Sequence, residues 1–128
     1  MVVDSSALVA ILLGEHDRRK LVETMSAAPR LLLSAATLVE IGVVLMRHSS
    51  GDYEYRLDPF LERAGIQIVS VDDVQATLAR DAYRRYGKGR HRAALNFGDC
   101  FSYALAKVTG DPLLFKGDDF SQTDVEPA

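Results

Sequence analysis

"MVVDSSALVAILLG", residues 1–14, sets the fold. Val2 and Val3 form a short apolar run that ends in an acid, Asp4. An apolar helical run follows at once. Ser5 or Ser6 suits its N-cap, and Gly14 suits the left-handed residue that ends it. A strand passing directly into a helix is half of a strand–helix–strand unit, and the rest of the chain repeats the alternation.

Asp17 to Ala27 reads as a polar-faced helix, broken by Pro29, and "RLLLS" (30–34) as a buried strand. Residues 36–48 form a helix. Asp52 to Ala64 form another, with Tyr55, Leu57, Phe60 and Leu61 as its apolar set. "IQIVSV" (66–71) is a strand rich in β-branched residues. Asp72 or Asp73 caps a helix that runs to Tyr86, and "GKGRHR" is a loop. Asp99 to Val108 is helical, with Gly110 as its C-cap. "PLLF" is a short strand, and "TDV" suits a last one. Apolar strands separated by helices imply an α/β fold of three layers, a central parallel sheet flanked by helices. In such open sheets, ligands bind beyond the carboxyl ends of the strands. Asp4 stands at such an end.

The totals agree with one soluble domain over residues 1–128. The chain is 48% hydrophobic and 26% charged, which excludes a disordered composition. A net charge of -3 gives no whole-molecule attraction to nucleic acid. The single cysteine, Cys100, excludes an internal disulfide and fits a reducing compartment. Its ordinary role is that of a small buried apolar side chain. The apolar run Ala7 to Leu13 is shorter than the roughly 20 residues that span a bilayer, and no basic segment precedes it. The expected location is cytoplasmic. The same run is expected to face the core rather than a partner, since a parallel sheet needs helices to cover it.

Three acids stand where apolar residues belong. Asp4 lies between "MVV" and "SSALVAILL", Glu40 inside "AATLVEIGVVLM", and Asp99 inside "LNFGDCFSYALA". An isolated buried carboxylate is unfavourable by several kcal/mol unless it is paired, protonated or metal-bound. Helix capping accounts for Asp4 or Asp99 taken singly. It does not account for Glu40, more than a turn inside its helix, for which the simple alternative is an arginine partner. A shared cation accounts for all three. His16, His48 and His91 are scattered and Cys100 is alone, so no zinc spacing exists. A carboxylate set suits Mg²⁺ or Mn²⁺. "FKGDDF" offers a fourth acid beyond another strand end: Asp118, with Asp119 as the alternative, or else both serve an ordinary polar turn. Ser6, two residues after Asp4, has a hydroxyl able to orient a carboxylate or water, or to cap the helix.

Between Arg80 and Arg92 lie Arg80, Arg84, Arg85, Lys88, Arg90 and Arg92, against one acid, Asp81. Tyr83, Tyr86 and His91 are interleaved. The stretch reads either as a solvated helix face or as a phosphate-tracking patch with aromatics for base stacking. On the second reading Arg84, Arg85, Lys88, Arg90 and Arg92 grip the phosphates of a nucleic acid, which the family resemblance given next implies is RNA.

The order "VVDSSALVAILLGE", "LVEIGVVL", "LNFGDCFSYALAKVTGDPLLFKGDDF" resembles the PIN-domain ribonucleases, specifically the VapC toxins of toxin–antitoxin pairs. The resemblance spans nearly the whole chain. It implies that Asp4, Glu40 and Asp99 are metal-site acids and Ser6 the accompanying hydroxyl. It also implies a homodimer, RNA cleavage dependent on Mg²⁺ or Mn²⁺, and a cognate VapB-type antitoxin. In relatives a Thr often precedes the last acidic position; here Phe115 takes that place and Gly117 falls where an acid or amide is common, so Asp118 and Asp119 are displaced along the chain. Two rival readings remain: a metal-dependent DNA nuclease or phosphoesterase, and a non-catalytic module that binds RNA and antitoxin.

Overall fold

The computed structural model describes residues 1–48 and 53–128. The described chain runs β1 (Val2–Val3), α1 (Ser5–Leu13), α2 (Arg18–Ser26), β2 (Leu31–Ser34), α3 (Ala35–Arg47), α4 (Leu57–Ala64), β3 (Ile66–Val69), α5 (Asp73–Tyr86), α6 (Asp99–Thr109) and β4 (Leu113–Leu114). All strand pairs are parallel, in the order β3-β2-β1-β4. Val2 pairs with Leu32 on one side and Leu113 on the other.

Strand alternation splits the apolar residues between two cores. Val3, Leu31, Leu33 and Leu114 face α1–α4. Val2, Leu32 and Leu113 face α5 and α6, where Leu95, Tyr103, Leu105 and Phe120 complete the second core. Helix α1 is buried along Ala7, Leu8, Ala10, Ile11 and Leu12, so "ALVAILL" is core, as expected. Gly14 ends it with a φ of 72°, where a side chain would be strained. Asp72 caps α5 by accepting from the amide of Gln75.

Three local expectations are corrected. The cap of α1 is Asp4, with Ser5 and Ser6 inside the first turn. The start of the expected 52–64 helix falls partly outside the described residues; Glu54–Arg56 form a 3-10 turn, and regular helix begins at Leu57. Pro59 has no amide hydrogen for the carbonyl of Tyr55, which denies that turn its α-helical bond. The central parallel sheet flanked by helices is as expected, with β3 at its edge, where Gln67 is exposed and Ile68 43% exposed. "TDV" is not a strand. The Thr123 hydroxyl donates to the carbonyl of Phe120 and accepts from the amide of Val125, which holds a turn. The chain regains the sheet at Pro127, beside Leu113.

The order of the strands fixes the site. From β1 the chain moves outward through β2 to β3, then returns to the far side of β1 as β4. The reversal leaves a crevice between the carboxyl ends of β1 and β4, the position where open α/β sheets bind ligands.

Candidate active site

Asp4 is 1% exposed at the end of β1. Its Oδ2 accepts from the amide of Ser6 at 2.9 Å and from the Ser6 hydroxyl at 2.7 Å. Its Oδ1 is buried with no partner among the described residues. Ser6 Oγ in turn accepts from the amide of Lys116, just past β4, at 3.0 Å. Ser6 therefore ties the two walls of the crevice together and leaves one carboxylate oxygen of Asp4 unspent. The Lys116 ammonium is anchored away from the acids, on Glu15 and Asp17.

Glu40 reaches the crevice from α3. Among the described residues, its buried Oε2 has no partner, and no arginine or lysine forms an ion pair with it. Burial raises its pKa, Asp4 raises it further, and a hydrogen bond with Ser5 opposes both. Helices α3 and α6 meet at Thr37 and Ser102, whose buried hydroxyls lie 3.3 Å apart. One turn from that contact, Glu40 lies against Gly98; a Cβ on Gly98 would stand 2.3 Å from Oε1.

Asp99 is 7% exposed and opens α6. It does not cap the helix in the simple way expected. Its Oδ2 accepts from the amide of Asn96 at 2.8 Å, while Asn96 Oδ1 accepts from the amide of Asp99 at 2.9 Å. This reciprocal box fixes the carboxylate. Burial pushes the Asp99 carboxyl up to about 7, against the Asn96 hydrogen bond and with help from Asp4, Asp119 and Glu40. Of the Asp118–Asp119 pair, Asp119 is therefore the one whose charge is felt at Asp99. Both are exposed, and the Asp118 carbonyl is engaged by Ser121.

The charges of Asp4, Asp119 and Glu40 thus all act on the Asp99 carboxyl. Among the described residues, no group of three or more His, Cys, Asp or Glu side chains is arranged to hold a metal ion by itself. The donor set still fits a hard divalent cation: oxygens only, two of them buried and unspent, in mutually repelling carboxylates. Magnesium needs few direct protein ligands, because it keeps several waters. Sequence reasoning passed over three supporting residues. Gly98 leaves room for Glu40, and Asn96 holds Asp99. Ser34, at the end of β2, has a buried hydroxyl with no partner among the described residues. The only signal for the first two was their place in "NFGD".

The basic stretch divides. Arg85 lies 2.7 Å from the Tyr86 hydroxyl and pairs with Asp124 at 3.5 Å and Asp81 at 3.8 Å, which makes it a fastener of the C-terminal segment. Arg84 is held by Asp81. Lys88, Arg90 and Arg92 are exposed on the loop after α5. Tyr86 is buried, and His91 packs edge-on against it, its Nδ1 accepting from the amide of Ala93. Neither ring is placed to stack on a base, whereas Tyr83 is 40% exposed. Cys100 is buried and donates to the carbonyl of Asn96, and its thiol is pushed up to about 11. It acts as packing, not as a nucleophile.

A parallel sheet with a carboxylate crevice at its switch point defines a class, and sequence comparison names it: residues 1–126 match the PIN domain family model. Ribonuclease VapC of Mycolicibacterium smegmatis is 53% identical over 125 residues, covering 98% of this chain and 97% of that protein. The chain belongs to the PIN-domain family, in its VapC branch. Among solved structures, Mycobacterium tuberculosis VapC20, described as a sarcin-ricin loop cleaving toxin, superposes with a TM-score of 0.80 at 17% identity. That match covers 99% of this chain and 97% of the other. A toxin–antitoxin complex from Klebsiella pneumoniae gives 0.73 at 18% identity, with 96% and 92% covered. These structural likenesses establish the fold. Among the described residues, no helix is long and apolar enough to cross a membrane.

Proposed function

We propose that this chain is the ribonuclease toxin of a toxin–antitoxin pair, a single domain that cleaves RNA phosphodiester bonds at its carboxylate crevice with Mg²⁺ or Mn²⁺. One observation carries the proposal. Asp4 and Glu40 each keep a buried oxygen with no partner among the described residues, beside the buried carboxyl of Asp99. Such an arrangement is unstable as three bare charges and is stabilised by a divalent cation. The name of the 53% identical relative supports RNA as substrate.

Asp4 and Asp99 are the direct ligands in this proposal, with Glu40 and Asp119 completing the site. A bound divalent cation supplies charge stabilisation at the phosphate and lowers the pKa of a coordinated water. Ser6 occupies Asp4 Oδ2 and so directs Oδ1 toward the crevice. Asn96 does the same for Asp99. Glu40, its pKa raised, is suited to accept a proton from a neighbouring water at Oε2. Lys88, Arg90 and Arg92 hold the strand by its phosphates, which orient the substrate and read little sequence.

A VapB-type antitoxin and a second copy of the chain are the expected partners. Val39 (67% exposed), Val43 and Met46 (60%) form an apolar stripe on α3, a surface suited to burial against protein. The deciding experiment maps cleavage sites in total RNA after induction, wild type against Asp99→Asn. Cuts present only in the wild type support the reading. Cleavage of duplex DNA in place of RNA, or toxicity that persists in Asp99→Asn, overturns it.

A further inference from the structure

The sequence pointed to aromatics inside the basic stretch as base-stacking groups, but Tyr86 and His91 are committed to packing. The structure offers another ring. Phe97 is 79% exposed, the most exposed large apolar side chain among the described residues. It sits two positions before Asp99 and one before Gly98, which touches Glu40. It is not loose: Phe101, one turn along, meets it edge-to-face with centroids 4.9 Å apart. Edge support of this kind fixes a ring and leaves its surface open. Phe97 and Phe101 form one wall of a groove of 940 Å³ between α5 and the start of α6, with Arg80, Tyr83, Arg84 and Arg90 on the other side. Asp81 also lines it, engaged with Arg84.

An exposed phenyl ring is unfavourable in water, so its position beside the acids asks for an occupant. The groove pairs aromatic faces with guanidinium groups, and its Phe97 wall leads along the chain into Gly98, which lies against Glu40, and Asp99. A protein segment could use the rings. The excess of arginine over acid favours a polyanion whose units carry flat apolar faces, which describes single-stranded RNA. We infer that Phe97 is a substrate-binding residue that stacks on the base next to the scissile phosphate, while Arg80 and Arg90 grip the adjoining backbone. Stacking tolerates any base, so Phe97 sets the cleavage register by distance from the acids rather than by sequence. The inference rests on the ribonuclease reading above and adds to it the group that seats the substrate.

The chain contains no tryptophan, so Phe97→Trp introduces a single indole at the site in question, whose emission is excited apart from that of the tyrosines. The variant is made in the full chain with Asp4→Asn to prevent cleavage, and titrated with oligoadenylate of about eight nucleotides and with an abasic ribose-phosphate chain of the same length. Oligoadenylate quenches the emission, and the abasic chain binds without quenching. In the same Asp4→Asn chain, Phe97→Ala weakens oligoadenylate binding by about 10-fold, Phe97→Tyr restores it, and none of these changes affects the abasic chain. Unchanged emission with oligoadenylate bound, or equal quenching by the abasic chain, overturns the role of Phe97 and leaves the ribonuclease reading standing. Blue-shifted emission that depends on protein concentration and ignores RNA assigns the ring to a second copy and likewise overturns it. If neither polymer binds the chain with Phe97 intact, the ribonuclease reading falls together with the inference.

Discussion

Glu40 and Gly98 are in such close contact that any side chain on the glycine would collide with the carboxylate, 2.3 Å from Oε1. The glycine has ordinary helical dihedrals, a φ of -63° and ψ of -43°, so the need is for space and not for backbone freedom. Gly98→Ala would push aside the end of a flexible side chain. The fold tolerates this, and the site does not. We expect a stability change of about 1 kcal/mol or less, with RNA cleavage reduced at least about 10-fold. Thermal unfolding and single-turnover cleavage measured side by side check it; loss of fold with activity per folded molecule intact would be the contrary result.

Asp99 gives a pH dependence of definite sign. Its carboxyl is held near 7 in the folded chain and titrates near the ordinary value of 3.8 when unfolded. Between those values the folded state binds the extra proton, so stability falls as pH rises through the interval and then levels off. In chelator the loss is about 2–4 kcal/mol from pH 4 to 8. Millimolar Mg²⁺ or Mn²⁺ should flatten the profile, because the cation favours the ionised form. Asp99→Asn should remove most of the slope. Identical melting curves in chelator and in Mg²⁺ at pH 8 would count against a metal at this site.

Ser6 joins two structural duties in one hydroxyl. Ser6→Ala leaves the Lys116 amide without its acceptor and removes one of two donors to Asp4 Oδ2. We expect a loss of about 1–3 kcal/mol and a partial fall in activity, and Ser6→Thr should recover part of both. Denaturant unfolding read alongside cleavage rate distinguishes this from Asp4→Asn, for which activity should vanish.

The basic residues should separate by role. Tyr103 is buried and its hydroxyl donates to Asp124 at 2.7 Å, with Arg85 and Lys107 on the same carboxylate. Tyr103→Phe should lower stability by about 1 kcal/mol without altering RNA affinity. Arg85→Ala should likewise act on stability. Lys88→Ala and Arg92→Ala should leave melting unchanged, weaken RNA binding and reduce its salt dependence. Binding isotherms at several salt concentrations give the comparison.

Asp118 and Asp119 differ in their coupling to the site. Asp119→Asn should lower activity and the pKa of Asp99, whereas Asp118→Asn should do little. Following the Asp99 carboxyl by NMR titration in both variants tests the assignment.

The sequence by itself determined the layers and the acids. Alternating short apolar runs and helices admit few arrangements, and Val2–Val3, Leu31–Ser34 and Ile66–Val69 fell where the patterns put them. Charge inside an apolar stretch exposed Asp4, Glu40 and Asp99, because burial of a carboxylate needs a reason that pattern alone makes visible. Which basic residues were already spent could not be read from the chain. Arg85 and Tyr86 look as available as Arg90 until the C-terminal segment folds back on them. The Asn96–Asp99 box is local and was overlooked in the chain, whereas only the packing of α3 on α6 reveals that Gly98 must be bare, and only the folded surface that Phe97 is left in solvent. Periodicity records which face of an element is buried; the identity of the neighbour on that face depends on contacts between residues far apart in the chain, and those exist only once it has folded.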